Sequence, residues 1–151
     1  MIKIICVGKI KEKFLSDAIE EYLKRLSKYN KINIIEVEDM TGDTEEIILK
    51  KEGELIEKNI NTKDYVITLE IEGKKMTSME LANKLDQILS INPNITFIIG
   101  GSYGIDNKIK ERSNLKLSFS DLTFPHQLFR VILLEQLYRS YRILNNESYH
   151  K

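Results

Sequence analysis

Apolar residues fall along the chain in two alternating rhythms: short β-branched runs, and longer stretches with helical spacing. Ile2–Val7 (IKIICV) is a compact apolar run of strand length. Leu15, Ile19, Tyr22, Leu26 and Tyr29 then recur at intervals of 4, 3, 4 and 3, which lines side chains up only on a helix, predicted over 14–29. Ile32–Val37 (INIIEV) is a second strand. Residues 44–60 predict a highly charged helix that offers Ile48, Leu55 and Ile56 to a core, with Gly53 weakening its regularity. Tyr65–Ile71 (YVITLEI) is a third strand, ended by a turn at Glu72-Gly73-Lys74. Thr77 with Glu80 three residues on has the pattern of a capping box, opening a helix through Leu89. Asn92-Pro93-Asn94 breaks the chain before a fourth strand, Ile95–Ile99 (ITFII), and the loop GGSYG at Gly100–Gly104. A short polar helix is expected near 107–113. Alternating Leu115, Leu117 and Phe119 make a fifth strand, and Pro125 suits the first turn of a long helix reaching about Leu144.

Strand and helix alternating from end to end predict one α/β domain over 1–151, with a mostly parallel sheet and right-handed crossovers. No internal repeat, low-complexity tract or linker divides it.

Composition narrows the function classes. Hydrophobic residues at 42% and charged residues at 30% give a globular balance rather than a disordered or fibrous one. No apolar run approaches the roughly 20 residues a bilayer requires, and Ile2–Val7 is too short for a secretory signal, so a cytoplasmic protein without a membrane partner is expected. Cys6 is the single cysteine, which excludes an internal disulfide; flanked by isoleucine and valine in a strand, it reads as a buried structural thiol. His126 and His150 stand far apart with no acidic cluster of ligand spacing, so no metal site is expected. Net charge is zero, yet unevenly spread: +3 over residues 1–30, −7 over 31–72, zero over 73–107 and +4 over 108–151. A basic C-terminal segment suits RNA phosphate, but from charge alone solvated helix faces are the better reading.

In an open parallel sheet ligands bind beyond the carboxyl ends of the strands. Three loops leave such ends: 69–75, 100–104 and 119–125. Gly100, Gly101 and Gly104 permit close backbone approach and positive φ, but their GGxxG spacing fits neither the dinucleotide fingerprint nor the phosphate loop, and a plain tight turn explains them as well. Ser118, Ser120 and Thr123, with Leu122 and Phe124, lie between a buried strand and a proline-started helix; free backbone groups there suit an adenine edge, with Leu122 and Phe124 as apolar contact, whereas plugging the core under the helix explains the two apolar residues as well and is the better reading of Phe124 taken alone. The last helix carries Arg130, Arg139 and Arg142 beside Tyr138 and Tyr141, a combination that fits RNA and a dimer interface alike.

Taken together, IICVGKIKEKF at 4–14, ITLEIEGK at 67–74, IIGGSYGI at 98–105, LSFSDLTFPHQLFRVILLEQLYRSYRI at 117–143 and YHK at 149–151 resemble the large-subunit ribosomal RNA methyltransferase H family of the SPOUT superfamily, over essentially the whole chain. The resemblance implies an α/β knot, with a C-terminal trefoil knot, that holds S-adenosylmethionine bent. It implies a homodimer whose active sites are completed by the partner. The cofactor contacts it carries over are Leu69, Gly100, Phe119, Ser120, Asp121, Leu122, Thr123 and Phe124. The reaction implied is methylation of N3 of pseudouridine 1915 in 23S rRNA of the assembled ribosome. Arg139 then stabilises the developing anion, and His126, or His150 from the second subunit, accepts the proton. Arg142, Tyr149 and Lys151 hold RNA, with Lys151 standing where some relatives carry arginine. Tyr103 has no role in this scheme. Two rivals remain at this level: a flavodoxin- or Rossmann-like domain using Gly100–Gly104 for a nucleotide phosphate, and a non-catalytic ribosome-binding or assembly factor with the same fold.

Overall fold

A computed structural model describes every residue from Met1 to Lys151. Its elements alternate strictly: β1 (Ile2–Val7), α1 (Lys13–Leu26), β2 (Ile32–Val37), α2 (Glu45–Glu57), β3 (Tyr65–Lys75), α3 (Ser78–Leu89), β4 (Ile95–Ile99), α4 (Asn107–Arg112), β5 (Leu115–Ser118) and α5 (His126–Leu144). The five strands form one sheet in the order β2-β1-β4-β3-β5, and every neighbouring pair is parallel. The α/β expectation holds, with helices on both faces. No helix is long and apolar enough to cross a membrane.

Strand periodicity divides the core in two. Ile2, Ile4 and Cys6 of β1, with Ile95, Phe97 and Ile99 of β4, point to the side covered by α1, α3 and α5. Ile5, Val7 and Ile98 point to the other side, with Ile56 of α2 and Ile109 of α4. All of β4 is buried, which is why its sequence is apolar without alternation. The helical face read in α1 is confirmed for Leu15, Ile19 and Leu26. Tyr29 lies past the end of that helix, yet it still packs inward, stacked on Tyr141 with ring centroids 5.1 Å apart. Thr77 and Glu80 close the capping box at α3. Gly53 is buried in α2, where a Cβ would meet the carboxylate of Asp106, the residue before α4, at 2.7 Å.

The third strand departs from expectation. Rather than turning at Glu72-Gly73-Lys74, β3 runs on to Lys75, and both Leu69 and Lys74 pair with Leu117 of β5. Residues 70–73 therefore bulge out of the ladder. A Cβ on Gly73 would stand 2.8 Å from the Leu117 backbone, so the glycine serves close approach between strands rather than a hairpin-like turn.

Arg130 also departs from its sequence reading. It is only 1% exposed and unavailable to RNA. Its Nη1 donates to Glu36 Oε2 at 2.6 Å, and its Nη2 donates to the Val7 and Gly8 carbonyls at 3.2 and 2.6 Å. This guanidinium ties the start of α5 to the ends of β1 and β2. Replacing it strands two buried carbonyls, so Arg130→Met is expected to lose about 3 kcal/mol of stability in urea unfolding. Cys6 is buried as expected, and desolvation pushes its thiol up to about 12, leaving it a neutral packing group.

Candidate active site

The three loops singled out by strand direction converge. The ends of β3, β4 and β5 enclose one cavity of about 310 Å³. Leu69, Gly100, Phe119, Ser120, Leu122, Thr123 and Phe124 line it, together with His126 at the start of α5. Phe119 and Phe124 pack on Phe129 with tilted rings, at 5.1 and 5.7 Å between centroids, so α5 supplies an apolar back to the 119–124 loop. Ser120 turns that loop by accepting the Leu122 amide at 2.9 Å, and the Ser118 hydroxyl donates to the Ser120 carbonyl at 3.1 Å. Leu122 is 71% exposed at the rim.

Asp121, expected among the cofactor contacts, does not line the cavity. Its carboxylate faces solvent and pairs with Lys75 at the end of β3, since alternate residues of a tight loop point opposite ways. The backbone of the same loop remains on the cavity side through its neighbours.

The glycine loop works differently from its sequence reading. Only Gly104 has positive φ, at 87°. Gly100 is required instead by contact, because a Cβ there would overlap the Gly104 carbonyl group. The Gly101–Gly104 bridge thus folds back flat on β4 and leaves room above it. Tyr103 is 49% exposed and points away, toward a shallow acidic groove lined by Asp39, Asp43 and Glu52. Glu52 is buried beside that groove; desolvation pushes its carboxyl upward, while its hydrogen bond from the Met40 amide opposes. No group of three or more His, Cys, Asp or Glu side chains stands ready to hold a metal ion.

Sequence reasoning missed the charged wall of the cavity: Glu70, Glu72 and Lys110. Glu70 is 4% exposed at its side chain, accepts Thr68 Oγ1 at 2.6 Å and pairs with Lys110 at 3.5 Å. Burial alone would lower the Lys110 pKa, but Glu72 and Glu70 outweigh it and hold the ammonium above its ordinary value. The available signal was Glu-x-Glu at a strand end, masked by the apparent turn.

The remaining candidates gather elsewhere. Arg139 Nη1 meets His150 Nδ1 at 3.0 Å, Arg139 pairs with Glu135 at 2.8 Å, and its guanidinium lies 4.8 Å from the Tyr149 ring centroid. The Glu135 hydrogen bond raises the Arg139 pKa further, so it is a cation at every working pH. An arginine has no acceptor, so in this hydrogen bond Arg139 donates and His150 Nδ1 accepts. Desolvation, with the neighbouring Tyr22 hydroxyl, pushes the Tyr149 phenol up to about 12, so it remains protonated. Arg142 holds the tail by donating to Glu147 at 2.6 Å and to the Ser148 carbonyl at 2.9 Å. Lys151 is exposed at the chain end. Arg139 lies thirteen positions beyond His126 along α5, so this cluster sits about 20 Å down the helix from the cavity. The structure brings His126 to the cavity and keeps Arg139, Arg142, Tyr149, His150 and Lys151 apart from it.

The family described as "Predicted SPOUT methyltransferase" matches residues 1–150. The chain is 57% identical to a protein of Methanococcus vannielii over 99% of each chain. It is 55% and 53% identical, over the same share, to proteins of Clostridium botulinum and Clostridium tetani named ribosomal RNA large subunit methyltransferase H. A full-length match at this identity, on a chain whose strand-end loops already form one cavity, leaves a single family: the chain belongs to the SPOUT methyltransferases.

Proposed function

We propose that the protein is a large-subunit ribosomal RNA methyltransferase that transfers the methyl group of S-adenosylmethionine to N3 of a pseudouridine in 23S rRNA. It acts in the cytoplasm on the assembled ribosome, as a homodimer whose C-terminal region is threaded as a trefoil knot. The names of the Clostridium relatives support the substrate class. The observation that carries the reading is the separation within one chain: a cavity with apolar side chains, close backbone and one charged wall at one end of α5, and an arginine–histidine–tyrosine cluster about 20 Å away. Each alone lacks half of the chemistry. Two chains related by a twofold axis place the tail of one over the cavity of the other.

The cavity suits the donor. Leu69, Phe119, Leu122 and Phe124 offer apolar contact to the adenine, Gly100 gives close backbone approach, and Ser120 and Thr123 sit beside free loop backbone. When bound, S-adenosylmethionine supplies an already activated methyl group, so the protein's task is to orient the nucleophile and manage its proton. The pseudouridine imide must lose that proton as it attacks. The partner's Arg139 stabilises the resulting charge on the ring oxygens, as a fixed cation in a site shielded from water. His126, on the cavity wall, accepts the proton. His150, with Nδ1 engaged by Arg139, presents Nε2–H and donates to a base oxygen rather than acting as base. Tyr149, Arg142 and Lys151 then hold the RNA strand.

Incubating the protein with labelled S-adenosylmethionine and ribosomes lacking the mark tests this directly. Label is expected in 23S rRNA, at N3 of pseudouridine. Ribosome association without transfer contradicts the enzyme and leaves the assembly-factor reading. In thermal-shift assays, S-adenosylmethionine at 100 times its dissociation constant adds about 2.7 kcal/mol of stability, whereas NAD, FMN and ATP add none.

A further inference from the structure

The cavity wall facing α4 is charged, and the proposed reaction changes the charge of its own ligand. S-adenosylmethionine carries a sulfonium, an ammonium and a carboxylate, a net of +1. After methyl transfer the sulfur is a neutral thioether, and the product S-adenosylhomocysteine has no net charge. Glu70 and Glu72 oppose Lys110 alone among the charged lining residues, so that wall has one negative charge in excess.

Glu70 is built into place rather than left on a mobile tip. The bulge at 70–73 lifts it out of the β3–β5 ladder. Thr68 Oγ1 donates to its Oε2 at 2.6 Å, and Thr68 also meets Ser113 Oγ at 2.8 Å, at the end of α4. Lys110 Nζ stands 3.5 Å from Glu70 Oε1 and 3.1 Å from Glu72 Oε1. With a side chain 4% exposed, Glu70 acts through a medium where water screens it weakly. Glu72, at 67% exposed, is screened much more, so the buried carboxylate dominates the field inside.

We propose that Glu70 determines specificity for the charged donor over its neutral product, so that the spent cofactor leaves after each transfer. The idea rests on the reading of the cavity as the methyl-donor site. Glu70 needs no direct contact with the sulfonium for this: a buried unit charge several ångströms from another shifts an equilibrium by about tenfold or more. Lys110 tempers the effect, keeping donor affinity from becoming so tight that exchange is slow.

Calorimetric titration of the purified protein with S-adenosylmethionine and, separately, S-adenosylhomocysteine tests the proposal. Glu70→Gln keeps the shape and the Thr68 hydrogen bond, and is expected to lower the donor-over-product affinity ratio about tenfold, mostly by weakening the donor. Lys110→Met removes the opposing charge and is expected to raise the same ratio. Where Glu70→Gln reduces the folded fraction in circular dichroism, Lys110→Met decides alone. A ratio within twofold of wild type in the folded variants overturns the proposal while leaving the cavity's assignment intact. Wild-type protein that binds neither ligand overturns the assignment itself.

Discussion

Gly100→Ala is expected to weaken S-adenosylmethionine binding by at least about a hundredfold while the sheet still forms. The added Cβ would overlap the Gly104 carbonyl group and come within 2.9 Å of Ile105 Cγ1. The first obstacle is backbone, which cannot rotate aside, so the 101–104 turn must lift off the end of β4. That movement goes straight into the cavity, whose floor the turn provides. Overpacking of this kind costs about 2 kcal/mol of stability, well below the 5–15 kcal/mol a domain of this size holds. The variant should therefore remain folded and empty. Isothermal titration with the donor, beside a melting curve without it, separates the two effects. Near-normal affinity would mean that the donor sits elsewhere.

Arg139→Ala carries the second large effect, with the opposite signature. Donor affinity should remain near wild type, because Arg139 lies about 20 Å along α5 from the cavity of its own chain. Methyl transfer to ribosomes should fall by about 100- to 1,000-fold in kcat, the usual loss when a fixed group stabilising transition-state charge is removed. Arg139→Lys should recover only part of it. Lysine keeps the charge but loses the forked geometry that meets His150 Nδ1 and Glu135 together. A variant that loses donor binding and turnover in parallel would place Arg139 in a merely structural role.

How these positions read from sequence depends on what each one touches. The apolar rhythm located all five strands because burial of the sheet leaves an unmistakable pattern: Ile95–Ile99 has no polar residue except Thr96. Strand direction alone then selected the three loops of the cavity. The errors occur where one residue's role is set by a distant one. Gly73 marks a close approach to Leu117, not the turn its neighbours suggested. Arg130 looked like its helix-mates Arg139 and Arg142, but only its position on α5 faces the carbonyls of Val7 and Gly8. Glu70 and Lys110 come together across the bulge from elements forty residues apart, so no local spacing linked them. Asp121, by contrast, stays open as a backbone contact of its loop, since only its carboxylate turns outward to Lys75.

The C-terminal cluster shows the same limit from the other side. Sequence resemblance brought His150, from the second subunit, and Arg139 to the cofactor residues, and within a single chain both stand in one cluster with Glu135 and Tyr149, apart from the cavity. Their distance from the cavity is what makes pairing of two chains part of the proposed chemistry, rather than an accessory to it.

Mixing the two inactive variants tests that pairing. Gly100→Ala and Arg139→Ala chains, unfolded together and refolded in equal amounts, give dimers of which about half are mixed. In each mixed dimer one site holds both defects and the other holds neither. Ribosomes are expected to be methylated at roughly a quarter of the wild-type rate, by a mixture of proteins that are each nearly inactive. A mixture that stays at the level of the separate variants, with mixed dimers present by differential tagging, would contradict a site shared between two chains.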